Sequence, residues 1–135
     1  TEPWRFYLIG SETKEAICLL NFDLVKASKG EQVANQKLQR WRDVPGWLLV
    51  TCGVSDDELR QQEDYAAVAC AIQNLSLFLW SQGVGVKWTT GDVIRDRYFY
   101  DLVWVDPVGL LWYGFPEEVP QTTRTDCQEC IIRLP

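Results

Sequence analysis

The sequence predicts an α+β domain in which a central mixed sheet carries helices packed on both faces. Three apolar and aromatic runs have the composition of buried strands. Between them lie stretches with the spacing of amphipathic helices, and one long segment without a single charge, Tyr65 to Gln82. The predicted order is strand, helix, helix, strand, buried helix, short strand, short helix, strand and polar tail. This order forms one domain over residues 1–135.

The first half of the chain supplies two of the strands and two helices. Residues 4–9 (WRFYLI) are almost entirely apolar, so we expect a strand that is buried on both faces. A helix then begins with Ser11 as its N-cap and ends at Gly30, and a second, more polar helix follows over residues 31–42. Residues 47–54 (WLLVTCGV) form the second buried strand.

The charge-free stretch from Tyr65 to Gln82 is the centre of the predicted fold. Its apolar side chains occupy almost every direction of a helical repeat, so the helix should be buried on all sides. The length also admits a membrane span, but Gln73 and Asn74 near the middle and the absence of flanking anchors favour a central helix of a soluble protein. Asp64 is its expected cap and Gly83 its expected end. Its alanine-rich first half leaves room for a second backbone, such as that of another subunit.

The last part of the chain contains a short helix, a strand and a tail. Residues 92–102 are predicted to begin a short helix, and residues 108–115 (VGLLWYGF) form the last strong strand. From Glu117 onward the chain is polar.

Composition narrows the possible chemistry. The formal net charge is -6 and no predicted element carries a basic stripe, which argues against nucleic acid or an anionic membrane as a partner. The chain has no histidine, which removes the commonest general base and the commonest metal ligand. Its five cysteines are scattered and odd in number, so a reduced, cytoplasmic compartment fits better than a disulfide framework. The acidic stretch from Ser55 to Asp64 is more typical of charge before a helix than of a catalytic pair.

The loop after the central helix offers polar groups at the end of a short strand. It lacks the third glycine and the element order of a dinucleotide-binding loop. Thr89, Thr90 and Gly91 would present hydroxyls and backbone amides suited to the polar edge of a ligand. A tight connection between a helix and a strand explains the same spacing.

Cys127 and Cys130 form a lone C-x-x-C pair in the tail. They supply two of the four ligands of a structural zinc site, and without histidine the others would be distant cysteines or carboxylates. The pair also lacks the setting of a thioredoxin-type dithiol. Metal or redox use of the pair stays open.

Three segments together resemble the nitroreductase family of FMN-dependent oxidoreductases. Residues 2–6 (EPWRF) are similar to the family's proline-tryptophan entry into its first strand. The stretch from Glu63 to Gly91, which ends in Trp-Thr-Thr-Gly, is similar to the central helix and the loop that follows it. Residues 108–116 supply the third match. Their order and spacing cover almost the whole chain.

The resemblance implies a homodimer of α+β subunits whose central helices pack across the interface, with two FMN sites between the subunits. It implies that the flavin ring and ribityl chain are lined by Trp88, Thr89, Thr90 and Gly91. Thr1 and Glu2 match a loop that approaches the flavin from the partner subunit.

The resemblance also implies how the phosphate is held and what the protein does. Arg124 resembles the basic residue of the family's tail that meets the phosphate, and Arg95 and Arg97 are weaker candidates. The implied reaction passes hydride from NAD(P)H through FMN to a small acceptor such as a nitroaromatic or a quinone, with ping-pong kinetics and without a catalytic side chain or a metal.

The chain departs from the family's pattern at its beginning, and two alternatives to the oxidoreductase function stay open. The family begins with a helix that bears an arginine pair and a serine for the flavin phosphate, and we expect that this segment is missing from residues 1–135. One alternative is a non-catalytic protein on the same fold that binds flavin or another planar ligand. The other is a zinc- or redox-responsive interaction module that uses Cys127 and Cys130.

Overall fold

The computed structural model describes residues 2–132 and residue 134, and it is built on a four-stranded sheet. The strands are β1 (Trp4–Leu8), β2 (Gly46–Cys52), β3 (Gly85–Thr89) and β4 (Pro107–Gly114). The helices are α1 (Ser11–Lys29), α2 (Glu31–Arg42), α3 (Glu58–Ser81) and α4 (Arg97–Val103), with 3₁₀ turns at Asp92–Arg95 and Cys127–Cys130. The α+β class and the predicted order of elements are confirmed.

Every pair of adjacent strands in the described sheet is antiparallel, so the prediction of a mixed sheet was wrong. The strand order is β1-β2-β4-β3, and each adjacent pair is antiparallel. A single helix, α3, connects β2 to β3, and such a crossover makes these two strands point the same way. They do not pair, because β4 lies between them and runs in the opposite direction.

Helices cover both faces of the sheet, as predicted. Side chains alternate between the faces of a strand. Trp47, Leu49 and Leu110 pack against one side, where α1, α2 and α4 contribute residues such as Ile17 and Phe99. The opposite side packs against α3, and its buried residues are Val50, Leu111, Val68 and Ile72.

The central helix is not buried on all sides in a single chain. Its buried residues are Val68 and Ile72, whereas Leu77 is 57% exposed and Phe78 is 62% exposed. The reason is geometric, because a helix on one face of a sheet buries one stripe and leaves the rest of its surface open. No helix within the described residues is both long and apolar enough to cross a membrane.

The helix also begins earlier than predicted. Asp57, and not Asp64, is its N-cap, because the Asp57 carboxylate accepts hydrogen bonds from the backbone N–H groups of Leu59 and Arg60. Glu58 lies in the first turn, where a negative charge stabilises the helix. The predicted end is confirmed, since Gly83 follows with a positive φ of 78°.

β1 was predicted to be buried on both faces, and the structure corrects this. It is an edge strand, and its side chains from Arg5 to Leu8 are exposed, with Leu8 at 76%. A groove lined by apolar side chains and one amide remains open between β1 and α3; it is formed by Trp4, Phe6, Leu48, Ala67, Cys70, Ala71, Asn74 and Leu75. We call it the β1–α3 groove.

Candidate functional site

The antiparallel order brings the predicted site segments to one end of the sheet. β1 begins at this end, and β3 finishes there at Thr89. Glu2 and the segment Thr89 to Gly91 nevertheless lie at opposite edges, because three strand spacings of the order β1-β2-β4-β3 separate them by about 14 Å. Thr1 lies outside the described residues.

The four flavin-matching residues divide between the two faces of the sheet. Trp88 pairs with Leu111, whose side chain faces α3, so Trp88 lies on the α3 side. Thr89 pairs with Leu110 and faces the opposite side. Thr90 lines a shallow pocket with Cys52, Tyr65 and Arg95, among others, whereas Thr89 and Gly91 line a second, more enclosed pocket.

The Trp88 ring occupies the space that a side chain at position 109 would fill. A Cβ added at Gly109 would collide with the indole nitrogen of Trp88. We expect Gly109→Ala to displace the indole and to lower the free energy of unfolding by about 1–3 kcal/mol, measured by denaturant titration. Gly85→Ala is the matched control, because Gly85 also lies in a strand and a Cβ there meets its nearest atom only at 3.6 Å, an ordinary contact. Equal stability of both variants would contradict the assigned position of Trp88.

The enclosed pocket lies between α1, α2 and strands β3 and β4, and we call it the α1–α2 pocket. Its volume is about 490 Å³, within the roughly 300–1,000 Å³ typical of ligand sites. Four cationic side chains line it together with a single carboxylate: Lys29, Lys37, Arg40 and Lys87, with Asp92. A chain with a net charge of -6 therefore carries a local excess of positive charge at this pocket.

Local structure explains why these cations meet. Lys29 ends α1, and Gly30, with a φ of 86°, allows the chain to turn directly into α2. Lys37 and Arg40 are three residues apart and share one face of α2. Lys87 projects from β3 on the same side, with its Nζ 5.2 Å from the centre of the Trp112 ring.

The α1–α2 hairpin that carries these cations is held by long-range contacts. The Arg42 guanidinium pairs with the Glu15 carboxylate, and this hydrogen bond lowers the pKa of Glu15 below its ordinary value. Lys14 Nζ donates to the backbone oxygens of Arg42 at 2.7 Å and Val44 at 2.6 Å. The cations on α1 and α2 are thus presented by a fixed scaffold.

Two tryptophan rings and a buried amide line the pocket. Trp41 and Trp112 both line it, with ring centres 4.9 Å apart in an edge-on arrangement. Asn21 also lines it, is only 7% exposed, and its Nδ2 has no hydrogen-bond partner among the described residues. A buried amide without a partner is costly, so the Asn21 Nδ2 is a donor that a molecule bound in the pocket would satisfy.

The cations of this pocket were not predicted from the sequence. The family resemblance instead assigned phosphate binding to Arg124, with Arg95 and Arg97 as weaker candidates. Arg95 lies in the shallow pocket beside Thr90. Arg97 is exposed and donates to the Tyr98 hydroxyl. Arg124 is exposed in the tail, which leaves β4 at the end of the sheet opposite Gly91. The spacing of Lys37 and Arg40 was a visible signal, but their meeting with Lys87 depends on the topology.

The cysteines near the core are not suited to nucleophilic chemistry. Burial raises the pKa of the Cys18 thiol and of the Cys52 thiol, so both stay protonated at neutral pH. Within the part of the chain that the structure describes, no group of three or more cysteine, aspartate or glutamate side chains could hold a metal ion. Among the described residues, Cys127 and Cys130 are therefore not joined by the further ligands of a four-coordinate zinc site.

Three comparisons relate the chain to known proteins. The sequence model of the Nitroreductase family matches residues 1–103. The Bacillus subtilis protein named "Putative NAD(P)H nitroreductase YfhC" is 30% identical over 132 residues, which cover 92% of this chain and 68% of that protein. A nitroreductase-like family protein from Bacillus cereus has a crystal structure that matches with a TM-score of 0.78 at 25% identity, covering 98% of this chain and 73% of the other. A Desulfovibrio desulfuricans crystal structure in complex with FMN matches with a TM-score of 0.65 at 17% identity, with the same two coverages of 98% and 73%.

Proposed function

The chain belongs to the nitroreductase family, and on this premise we propose that it is an FMN-dependent oxidoreductase. It would pass hydride from NAD(P)H to a small electron acceptor such as a nitroaromatic or a quinone. The observation that carries the proposal is the α1–α2 pocket, which joins Thr89 and Gly91 of the flavin-matching segment to four cationic side chains. The name of the Bacillus subtilis relative supports NAD(P)H as the donor.

The residues of the pocket fit the chemical parts of FMN. Lys29, Lys37 and Arg40 would hold the phosphate, because charge-assisted hydrogen bonds to phosphate are strong and a guanidinium binds two oxygens at once. Trp41 and Trp112 offer the apolar surface that a planar ring needs. Arg124 would add a phosphate contact only if the tail folds back toward this end of the sheet.

FMN supplies the hydride chemistry when it is bound, so the side chains have other tasks. The cations favour negative charge in the pocket and would stabilise an electron-rich ring bound there. Thr89 and the backbone at Gly91 would orient polar edges of the ligand. This division of work fits a chain without histidine.

We also propose that the protein is a homodimer. The exposed surface of α3 bears Tyr65, Leu77, Phe78 and Trp80 and no charge between Tyr65 and Gln82, which suits a second copy better than water. The β1–α3 groove, with a volume of about 690 Å³, extends this apolar surface. Within one subunit, about 14 Å separates Glu2 from the site. A second subunit would bring its own copy of Glu2 near the site.

The same reasoning gives the location and the remaining partners. We propose that the protein is cytoplasmic and binds neither nucleic acid nor membrane. All five cysteines are free in the structure, and the net charge of -6 repels polyanions.

An absorption spectrum of the purified protein tests the proposed function. The protein, supplied with FMN, should show flavin bands that bleach when NADH or NADPH is added without oxygen and that return when a quinone or nitroaromatic is added. Bands that persist in both reductants would support the alternative, a flavin-binding protein without turnover. Failure to retain FMN at all would contradict both.

The variant Asn21→Leu tests whether the Asn21 amide serves the ligand or the fold. The leucine removes a buried donor that has no partner, so the free energy of unfolding of the FMN-free protein should rise by about 1 kcal/mol while the Kd for FMN rises about tenfold. Denaturant titration and flavin fluorescence measure the two effects. Ser28→Ala is the control, because Ser28 lines the same pocket but its hydroxyl already donates to the Leu24 oxygen at 2.9 Å. A loss of stability in Asn21→Leu would show that the amide serves the fold and not the ligand.

A further inference from the structure

We propose that Cys127 and Cys130 form a reversible dithiol–disulfide pair in the tail. The proposal does not rest on the flavin site, because neither cysteine lines the α1–α2 pocket. Its basis is the single turn of 3₁₀ helix that spans these two residues and begins and ends on a cysteine.

The turn brings the two Cα atoms within the range that a disulfide spans. A 3₁₀ helix has three residues per turn and rises about 2 Å per residue, so residues i and i+3 lie on the same side with their Cα atoms about 6 Å apart. Disulfides join Cα atoms that are about 4.4–6.8 Å apart, most often near 6 Å. An extended segment would separate the same residues by about 10 Å. The local conformation thus supplies what the C-x-x-C spacing alone does not.

The turn is held by its own hydrogen bonds and is open to solvent. The Asp126 carboxylate accepts from the Gln128 backbone N–H at 2.9 Å, and the Asp126 backbone oxygen accepts from Glu129 at 3.0 Å. Cys127 and Cys130 are both exposed and free. Among the other cysteines, Cys70 is exposed but has no second thiol in its own turn of α3, and Cys18 is buried.

The oxidant is a low-molecular-weight disulfide, RSSR. The thiolate of one cysteine attacks a sulfur of RSSR, which forms a mixed disulfide and releases one RSH after protonation. The thiolate of the other cysteine attacks the protein sulfur of that mixed disulfide, closes the Cys127–Cys130 bond and releases the second RSH. The pair loses two electrons and two protons, and RSSR gains both.

A glutathione titration of the full chain tests the proposal. The reduced protein is equilibrated at graded ratios of reduced to oxidised glutathione, its free thiols are alkylated, and the tryptic peptide of residues 125–133, which contains no other cysteine, is weighed. We expect an unlabelled peptide lighter by two hydrogen atoms, and its fraction should depend on the square of the reduced glutathione concentration. This disulfide-linked peptide should be the main form at a ratio of reduced to oxidised glutathione at which less than about a tenth of Cys70 carries glutathione.

Single-cysteine variants complete the test. Cys127→Ser and Cys130→Ser should each give only a glutathione adduct on the remaining thiol, with the first-power dependence that Cys70 shows. The proposal is overturned if the unaltered peptide carries glutathione on both cysteines, or if it stays fully alkylated where Cys70 is already modified. Dimers of the chain joined through these cysteines would overturn it as well.

Discussion

Leu77→Asp is expected to convert the proposed homodimer into monomers. Leu77 is 57% exposed on the uncharged surface of α3, where the second copy would cover it. An interface with twofold symmetry carries the substitution twice, and each buried carboxylate costs several kcal/mol, so the Kd of the dimer should rise by at least about 1,000-fold. Sedimentation equilibrium measures the Kd, and the flavin absorbance of the same samples should fall with the dimer if the cofactor lies between subunits.

Leu19→Asp is the matched control for this variant. Leu19 is also an exposed leucine, 45% accessible, but it lies on α1, which covers the opposite face of the sheet. This variant should remain a dimer and keep its flavin. If Leu77→Asp also remains dimeric while retaining its fold by circular dichroism, the α3 surface is not the interface.

Arg40→Glu is expected to weaken FMN binding roughly 100-fold. Arg40 is one of the four cations that line the α1–α2 pocket, and its reversal both removes a charge-assisted hydrogen bond and places a carboxylate near the phosphate. Together these effects amount to about 3 kcal/mol. Fluorescence titration of the FMN-free protein gives the Kd, and repeating it at several salt concentrations should show a weaker salt dependence in the variant.

Lys26→Glu controls for the change in net charge. Lys26 is exposed on α1 and does not line the pocket; its Nζ pairs with the surface carboxylate of Glu31 at 3.4 Å and lies 5.7 Å from the centre of the Phe22 ring. Such a pair contributes little to stability, so the variant should bind FMN as the unaltered protein does. An equal loss of affinity in both variants would mean that overall charge, and not the pocket, governs binding.

Local patterns predicted the elements well because each depends on neighbouring residues. The strand near residue 47, the first helix and the end of the central helix before Gly83 were found from composition, periodicity and glycine. The predicted N-cap Ser11 was wrong by one residue, because Gly10 is the N-cap of α1 and no side chain caps this helix. The cap at Asp57 was missed because the acidic residues from Glu58 to Asp64 are equally compatible with a loop and with the first turns of a helix.

The sequence by itself determined the α+β class and the order of the elements, and its resemblance to the nitroreductase family was confirmed. Only the tertiary structure decided that β4 lies between β2 and β3, that β1 is an exposed edge, and that Lys87 meets Lys37 and Arg40 around one pocket. The physical reason is the range of the interactions. Helix caps and hydrophobic periodicity act within a few residues. Strand pairing and the walls of a pocket join segments that are far apart in the chain, so they depend on how all of these segments pack together.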